Sequence, residues 1–282
     1  MRIAIVGAGR AGTAVAVRWR AAGHDIVAAS GGSATADRAA LHLPAVPVLP
    51  PREAATAAEL TVLGVPDDRI AEVAGSLAGA IEDGAWVAHL SGAARLDVLD
   101  AAGGRRLALH PLQTLPDVER AVARLEGCAV AIGADDEDGF TLGERLARDL
   151  GGIPFRLTDD ARPLYHAAAV LGSNDVVALS ALALTALARA GVPDPQGALA
   201  PIQLATIENV ATVGPGAALT GPAVRGDAST IEANLRALAQ AVPEAVPTYV
   251  AVARAALDLA VAAGRLTPER RAPVEEVLAR WR

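Results

Sequence analysis

The sequence contains no lysine, and all 25 of its basic residues are arginine. A lysine general acid is therefore excluded. It contains a single cysteine, Cys128, which rules out an internal disulfide and a cysteine-based metal cluster. Aromatic residues make up 2% of the chain although 52% of it is hydrophobic. Alanine supplies much of that apolar content, so we expect a core of small, closely packed helices and strands.

The chain also lacks a positive charge balance and a long uninterrupted apolar run. Its formal net charge of −7 disfavours nucleic acid or an anionic membrane as the main partner. Its five histidines form no H-x-x-x-H pair and adjoin no acidic cluster, so we expect no metal site. The apolar run at residues 176–188 is too short to cross a bilayer, and the N-terminal run is too short for a signal peptide. These features predict a soluble cytoplasmic protein.

The first nineteen residues carry the strongest pattern. A run rich in β-branched residues (2–6) precedes a G-x-G-x-x-G turn, which leads directly into a helical pattern at residues 14–19. This strand–turn–helix order is the context in which the motif binds a dinucleotide pyrophosphate. The alternative is a glycine-rich turn that binds nothing. The predicted cofactor contacts in this turn are Gly7, Gly9, Arg10, Ala11 and Gly12.

The end of the second predicted strand indicates which dinucleotide is bound. The strand at about residues 25–29 is followed by Ser30-Gly-Gly-Ser33, with no acidic residue to accept the ribose 2′-hydroxyl of NAD. Small side chains leave room for a 2′-phosphate, which Arg38 could reach. The pattern therefore favours NADP, with NAD possible. The alternative is that Ser30 and Ser33 only cap the next helix.

Strands and helices alternate as far as residue 157. Further strands are predicted at residues 60–65, 85–90, 107–110, 128–132 and 153–156, which indicates an α/β fold with a parallel, doubly wound sheet. Such sheets bind ligands at the carboxyl ends of their strands. The predicted cofactor contacts at these ends are Val65, Pro66, His89 and Ser91, and the other polar residues there are His110 and Gln113.

From residue 158 onward only helical patterns remain. We therefore predict a dinucleotide-binding Rossmann domain at residues 1–157 and an all-α domain for substrate binding and dimerisation at residues 158–282. Its first helix is expected to run from 158 to 190. At helical spacing His166, Ser173 and Asn174 share one face of that helix, and polar groups on an apolar stripe require partners or a ligand.

Three local strings resemble a known family. They are residues 109–114 (LHPLQT), residues 165–169 (YHAAA) with Ser173-Asn174, and residues 219–222 (LTGP) with 225–227 (RGD). They are similar to proteins that join a Rossmann-like domain to a DUF2520 domain, within the 6-phosphogluconate dehydrogenase-like superfamily. The resemblance implies an NAD(P)-dependent reductase, without naming its substrate, and a homodimer formed through the helical domain.

The proton donor usual in related enzymes is missing. β-Hydroxyacid dehydrogenases and ketopantoate reductase carry a lysine one turn before an asparagine that Asn174 resembles, but Val170 stands there in this chain. His166 is the predicted substitute donor, with His110 second and His89 third, since histidine titrates near neutrality. The structural alternative for each is a histidine held by backbone carbonyls.

Candidate substrate contacts complete the sequence-based interpretation. Arg225 can clamp a carboxylate with two hydrogen bonds, and Gln113 and Thr220 are the other predicted contacts. Asp227 is expected to cap the following helix. The leading hypothesis is NADPH-dependent reduction of a small 2-keto acid, such as a ketopantoate-like substrate. The alternatives are an imine reductase resembling pyrroline-5-carboxylate reductase, whose protonated iminium needs no lysine, and a non-catalytic dinucleotide sensor or partner subunit.

Overall fold

The apolar run at the N-terminus forms a strand inside a sheet, flanked by strands on both sides. The computed structural model describes residues 1–281. In these residues seven strands form one sheet in the order β2-β1-β3-β4-β5-β6-β7. They are β1 (Arg2–Val6), β2 (Asp25–Ser30), β3 (Leu60–Leu63), β4 (Trp86–His89), β5 (Arg105–Pro111), β6 (Ala129–Ala134) and β7 (Ile153–Arg156).

The sheet is mostly parallel, which confirms the predicted α/β class with a helical region after it. One detail of the prediction is wrong, because β6 runs antiparallel to β5, with Leu107 opposite Ala134 and Pro111 opposite Val130. Strand β7 is parallel to β6. A short apolar run looks the same whichever way its strand points, so the sequence pattern could not reveal this reversal.

Seven helices accompany the sheet in the part of the chain up to residue 173. They are α1 (Arg10–Ala21), α2 (Thr35–His42), α3 (Pro51–Thr56), α4 (Ile70–Ser76), α5 (Val118–Arg124), α6 (Glu137–Asp149) and α7 (Arg162–Gly172). Trp19 of α1 is fully buried, and its Nε1 donates to the carbonyl oxygen of Leu146 in α6 at 2.9 Å. Cys128, just before β6, is also buried.

The helix predicted from 158 to 190 is interrupted, so the prediction of one continuous helical face is wrong. Helix α7 ends at Gly172, Ser173 leaves the helical region at φ −131° and ψ −72°, and α8 starts at Asn174. Glycine followed by serine and asparagine is a run of weak helix formers. The chain divides into two compact units here, Met1–Ser173 and the residues from Asn174 on. The predicted domain boundary at 157/158 thus falls one helix earlier than this division.

The second unit is helical in its described residues. It contains α8 (Asn174–Arg189), α9 (Pro195–Val213), α10 (Pro215–Ala218), α11 (Pro222–Arg225), α12 (Ala228–Ala241), α13 (Val246–Ala262) and α14 (Pro268–Ala279). Its core lies between α12, α13 and α14, around Leu235, Leu257 and Leu278. Asp227 caps α12 as predicted, accepting from the backbone N–H of Thr230 at 3.0 Å.

Helices α8 and α9 are apolar but bury none of their residues within this chain. Large side chains such as Leu204 (72% exposed) and Ile207 (54% exposed) face outward. By length and composition alone, the helical stretches Asp159–Arg189 and Pro243–Ala262 also meet the criteria for a membrane span, although core helices of soluble proteins pass the same test. The second unit therefore has an apolar surface that is not buried within this chain.

Candidate functional site

The turn between β1 and α1 is a tight backbone cradle. Gly7 has φ +94°, which only glycine adopts without strain, and the N–H groups of Gly7 and Ala8 both donate to the carbonyl oxygen of Ser30 at 2.8 Å. A Cβ on Gly12 would lie 2.5 Å from the Gly7 oxygen, and a Cβ on Gly64 would lie 2.6 Å from it. Helix α1 and the ends of β1 and β3 therefore approach more closely than side chains would permit.

Gly9 opens the helix end that follows. It is the N-cap of α1, no side chain caps this end, and a Cβ built on Gly9 would meet only the Gly7 oxygen, at 4.0 Å. An uncapped helix N-terminus offers N–H groups and a partial positive charge, which suit a phosphate. The first turn, with Arg10 and Ala11, could thus hold the pyrophosphate of a dinucleotide.

A cavity of about 510 Å³ adjoins this helix end, a size typical of ligand sites. Among the described residues that line it, none is acidic. The guanidinium of Arg38 also lies at this cavity, where its Nη1 donates to the carbonyl oxygen of Ala8 at 2.9 Å. The structure brings six of the predicted cofactor contacts to its wall: Gly7, Gly9, Ser30, Ser33, Val65 and Pro66.

A second polar cluster lies where β4 and β5 end. His89 is paired in register with Ala108, and His110 stands two residues farther along β5. Since alternate residues of a strand point to the same face, His89, Ala108 and His110 share one face of the sheet. Gly133 of β6 is opposite Ala108, so small residues continue this row. They leave a space that a large side chain from another element can fill.

Arg162, at the start of α7, fills that space and is fully buried. Its Nε donates to Asp159 Oδ1 at 2.8 Å, while its Nη1 lies 3.5 Å from the carbonyl oxygen of Ser91. Asp159 also accepts from the backbone N–H of Leu96 at 2.9 Å. The Arg162 Nη2 is buried without a partner among the described residues. The sheet unit thus contains a buried cation balanced by one carboxylate.

Ser91 is held within its own loop. Its hydroxyl donates to Asp67 Oδ2 at 2.7 Å and accepts from the backbone N–H groups of Ala93 and Ala94 at 3.1 and 2.9 Å. Asp67 directly follows the Val65-Pro66 turn, so this bond ties the loop after β4 to the turn after β3. Ser91 is therefore built into the loop that frames the cluster.

His110 has a partner that the sequence did not suggest. Its Nδ1 lies 2.7 Å from the hydroxyl oxygen of Tyr165 in α7, and the two rings meet edge to face with centroids 5.5 Å apart. The His110 ring also lies against Gly92, where a Cβ would come within 2.8 Å of its Cε1. The next residue of α7, His166, has its Nδ1 buried without a partner among the described residues.

Burial controls the charge of this cluster. Burial lowers the pKa of His89 from 6.5 to about 4, helped by the positive charge of Arg162. The pKa of His110 also falls to about 4, through burial first and then through His166 and Arg162. Burial raises the pKa of Tyr165 to about 12. Both histidines are therefore neutral and the phenol is protonated near pH 7, so neither His89 nor His110 is the imidazolium acid that the sequence suggested.

The other predicted site residues lie outside this cluster. Gln113 is exposed, and its side chain accepts from the backbone N–H of Thr114. Arg10 donates to the carbonyl oxygen of Pro116 at 3.1 Å. In the second unit Thr220 lines a separate apolar cavity of about 310 Å³, and Arg225 is exposed, 3.9 Å from Asp227. Their roles stay predictions, as do those of Ser173 and Asn174.

Sequence reasoning missed four residues of the cluster: Asp67, Asp159, Arg162 and Tyr165. Asp67 and Tyr165 adjoin predicted site residues in the chain, and Asp159 lies in a helix-start pattern. The sequence around these three residues was therefore consistent both with a solvent-exposed position and with a place in the functional site. Arg162 gave no signal, because nothing local indicates that an arginine will be fully buried.

Comparison with known proteins agrees with this architecture. A family model for a Rossmann-like domain matches residues 1–111, and one described as a domain of unknown function, DUF2520, matches residues 128–256. The chain therefore contains a Rossmann-like domain followed by a DUF2520 domain, as the resemblance implied. No protein with a curated description matches its sequence.

Solved structures show the same fold. A Bacteroides fragilis protein whose NADP oxidoreductase activity is itself inferred has a TM-score of 0.77 at 24% identity, over 91% of this chain and 98% of that one. A Thermotoga maritima protein has a TM-score of 0.72 at 22% identity, over 92% and 98%. The pyrroline carboxylate reductase of Plasmodium falciparum, solved with NADP bound, has a TM-score of 0.61 at 13% identity, over 94% and 98%. At these identities the similarity establishes the fold.

Proposed function

We propose that this protein is an NAD(P)-dependent oxidoreductase that reduces a small 2-keto acid and prefers NADPH. One observation carries the proposal: the glycine cradle and the buried polar cluster occupy the same edge of one sheet. The cradle follows β1 and adjoins β3, and the cluster follows β4 and β5, all four of which are parallel. Ligands of doubly wound sheets bind along this carboxyl edge.

The residues of the cradle fit a dinucleotide. Gly9 leaves open space before α1, and the uncapped N-terminus of this helix suits the pyrophosphate. Ser30, Ser33 and Arg38 surround the part of the cavity beyond β2, where the absence of a carboxylate and the presence of a cation favour a 2′-phosphate. When bound, the reduced nicotinamide supplies a hydride.

The cluster supports a carbonyl substrate. A carbonyl oxygen that gains negative charge needs a nearby hydrogen-bond donor, whereas a protonated iminium already carries its proton. The hydrogen-bonded pair of His110 and Tyr165 offers such a donor without lysine. Imine reduction remains the second candidate, because the low pKa of His89 and His110 leaves no imidazolium acid there and because the fold extends to pyrroline carboxylate reductases.

Dinucleotide titration tests the cofactor. We expect nicotinamide fluorescence to show tighter binding of NADPH than of NADH. Gly9→Val should abolish binding while the unfolding transition is unchanged, because its side chain enters open space. Gly75→Ala, whose Cβ lies 3.9 Å from the Ala101 Cβ, is the matched control and should bind normally. Wild-type protein that binds neither dinucleotide would refute the proposal.

A substrate screen follows the loss of NADPH absorbance. Reduction of 2-keto acids but not of cyclic imines would support the leading proposal, and the opposite result would support imine reduction. Binding of NADPH without turnover of either class would favour the dinucleotide sensor.

We further propose that the protein is a soluble, cytoplasmic homodimer formed through the C-terminal helices, without a membrane or nucleic acid as partner. Helix α9 consists mostly of apolar residues and buries none of them within this chain, and an apolar helix of this kind requires burial. A second copy of the chain presents an equally large apolar surface. We expect a dimer by analytical ultracentrifugation in detergent-free buffer. Ile207→Glu should produce monomers, whereas Leu41→Glu, at a leucine of the sheet unit that is even more exposed (72% against 54%), should not. A wild-type monomer, or a protein that needs detergent, would contradict this proposal.

A further inference from the structure

The hydrogen bond between Tyr165 and His110 determines which nitrogen of His110 carries a proton. The hydroxyl of Tyr165 makes no other hydrogen bond to the described residues. If Nδ1 donated to the tyrosine oxygen, the partly buried O–H would be left without an acceptor, which costs free energy. With Tyr165 as donor, Nδ1 accepts and the imidazole proton is on Nε2.

The Nε2 atom of His110 is in a position to meet a ligand. It makes no hydrogen bond within residues 1–281, and it is not among the enclosed polar atoms that lack a partner, unlike the Nε2 of His89. The ring is held from two sides, by Gly92 beneath it and by Tyr165 at its edge. Phe155 packs against Tyr165 in turn, with ring centroids 5.9 Å apart. These contacts fix the orientation of the His110 ring, and with it the direction in which an Nε2–H group donates.

We propose that Tyr165 is a positioning residue that makes neutral His110 the proton donor of the reaction through its Nε2–H. This inference rests on the proposed reduction of a carbonyl. As the carbonyl carbon takes the hydride from the reduced dinucleotide, the C=O π bond breaks and the oxygen takes the Nε2 proton. Nδ1 takes the hydroxyl proton of Tyr165 in the same step. The Nδ1 proton then returns to the tyrosinate while a proton from solvent goes to Nε2, which restores the starting tautomer, so neither an imidazolate nor an imidazolium accumulates.

Burial raises the pKa of Tyr165 to about 12 and so disfavours a tyrosinate, but a nearby positive charge offsets part of this cost. Arg162 lies three residues before Tyr165 on the same face of α7, and its positive charge favours the transient tyrosinate. The charged and titratable groups that face His110 are His166 and Arg162 from α7 and Asp67 from the turn after β3. The two groups on α7 favour the neutral imidazole, as the relay requires, and only Asp67 opposes them.

The first test is a nitrogen NMR measurement on the protein without cofactor or substrate. We expect His110 to show a protonated Nε2 and an accepting Nδ1 at pH 7–8. Tyr165→Phe should shift the Nδ1 resonance and mix the two tautomers. Tyr249→Phe, which removes the hydroxyl that accepts from Asn234 in the second unit, is the matched control and should leave His110 unchanged. A protonated Nδ1 in the wild type, or a His110 spectrum unaffected by Tyr165→Phe, would overturn the inference.

The second test is kinetic. We expect Tyr165→Phe to lower kcat by about 10- to 100-fold with KM nearly unchanged, which is at or below the lower end of the roughly 100- to 10,000-fold contribution of a general acid, because His110 itself remains. The wild type should also show a solvent isotope effect on kcat that this variant alters. An unchanged kcat, or a loss confined to KM, would overturn the relay. A wild type that binds NADPH but reduces no keto acid refutes the proposed function instead, and the NMR result decides separately whether Tyr165 sets the tautomer.

Discussion

Replacement of Gly133 by alanine should destabilise the sheet unit because Arg162 already occupies the space for the new methyl group. A Cβ on Gly133 would overlap the Arg162 Nη2 and lie 3.5 Å from the Cβ of Ala108. Arg162 is fully buried and bonded to Asp159, so its guanidinium cannot move to solvent without breaking a partly buried ion pair. The methyl group and the guanidinium therefore compete for one volume.

The size of the effect follows from that competition. Overpacking of a close-packed interior costs about 1–3 kcal/mol, and we expect Gly133→Ala to fall near the middle of this range. Arg162→Ala alone should cost about 3 kcal/mol, because it leaves Asp159 without its cation. In the Arg162→Ala background the methyl group enters the vacated space, so Gly133→Ala should then cost less than about 0.5 kcal/mol. The coupling energy between the two sites is expected to be about 1.5–2 kcal/mol.

Urea unfolding followed by the fluorescence of Trp19 and Trp86 measures this coupling, since both belong to the sheet unit. Gly75→Ala in helix α4 is the control and should be neutral or stabilising by up to about 1 kcal/mol, because its Cβ meets only Ala101. Equal costs of Gly133→Ala in both backgrounds would refute the packing argument. So would a cost below about 0.5 kcal/mol in the wild type.

The remaining predictions concern pH, one buried hydrogen bond and one close contact. Folding lowers the pKa values of His89 and His110 from 6.5 to about 4, so between these pH values the unfolded chain binds more protons than the native protein. The free energy of unfolding should therefore decline from pH 6.5 to pH 4 by up to about 3 kcal/mol per histidine. A His89→Gln/His110→Gln variant should lose much of this decline in urea titrations. Trp19→Phe leaves the Leu146 carbonyl without its donor and should cost about 1–3 kcal/mol, whereas a change under 0.5 kcal/mol would show that water replaces the bond. Gly92→Ala should displace the His110 ring, visible as altered histidine resonances, and an unchanged spectrum would mean that the loop yields instead.

Local features of this chain were predictable because their physics is local. The turn of Gly7, Gly9 and Gly12 requires only a strand before it and a helix after it, and both are present. Asp227 caps its helix through a backbone N–H three residues away. The alternation of apolar runs with helical patterns predicted a sheet flanked by helices and followed by a helical region, and the structure has that order.

The candidate site was only partly predictable. His89, Ser91 and His110 were placed correctly at strand ends, because a strand end follows from the same local pattern. The protonation states of the histidines could not be predicted. A pKa of about 4 depends on burial and on the positive charge of Arg162, which follows His89 by 73 residues in the chain. The continuous helix that was to carry both His166 and Asn174 was wrong, because α7 ends at Gly172 and α8 starts at Asn174.

The sequence by itself therefore determined the secondary structure order, the glycine cradle and the absence of a lysine acid, since each depends on neighbours along the chain or on composition alone. The tertiary structure alone decided the direction of β6, the burial of Arg162 against Gly133 and the bond from Tyr165 to His110. Each of these joins residues far apart in sequence. Which residues contact each other at these places depends on the volume and the charge that surround them once the sheet is packed. Neither is defined before the chain folds.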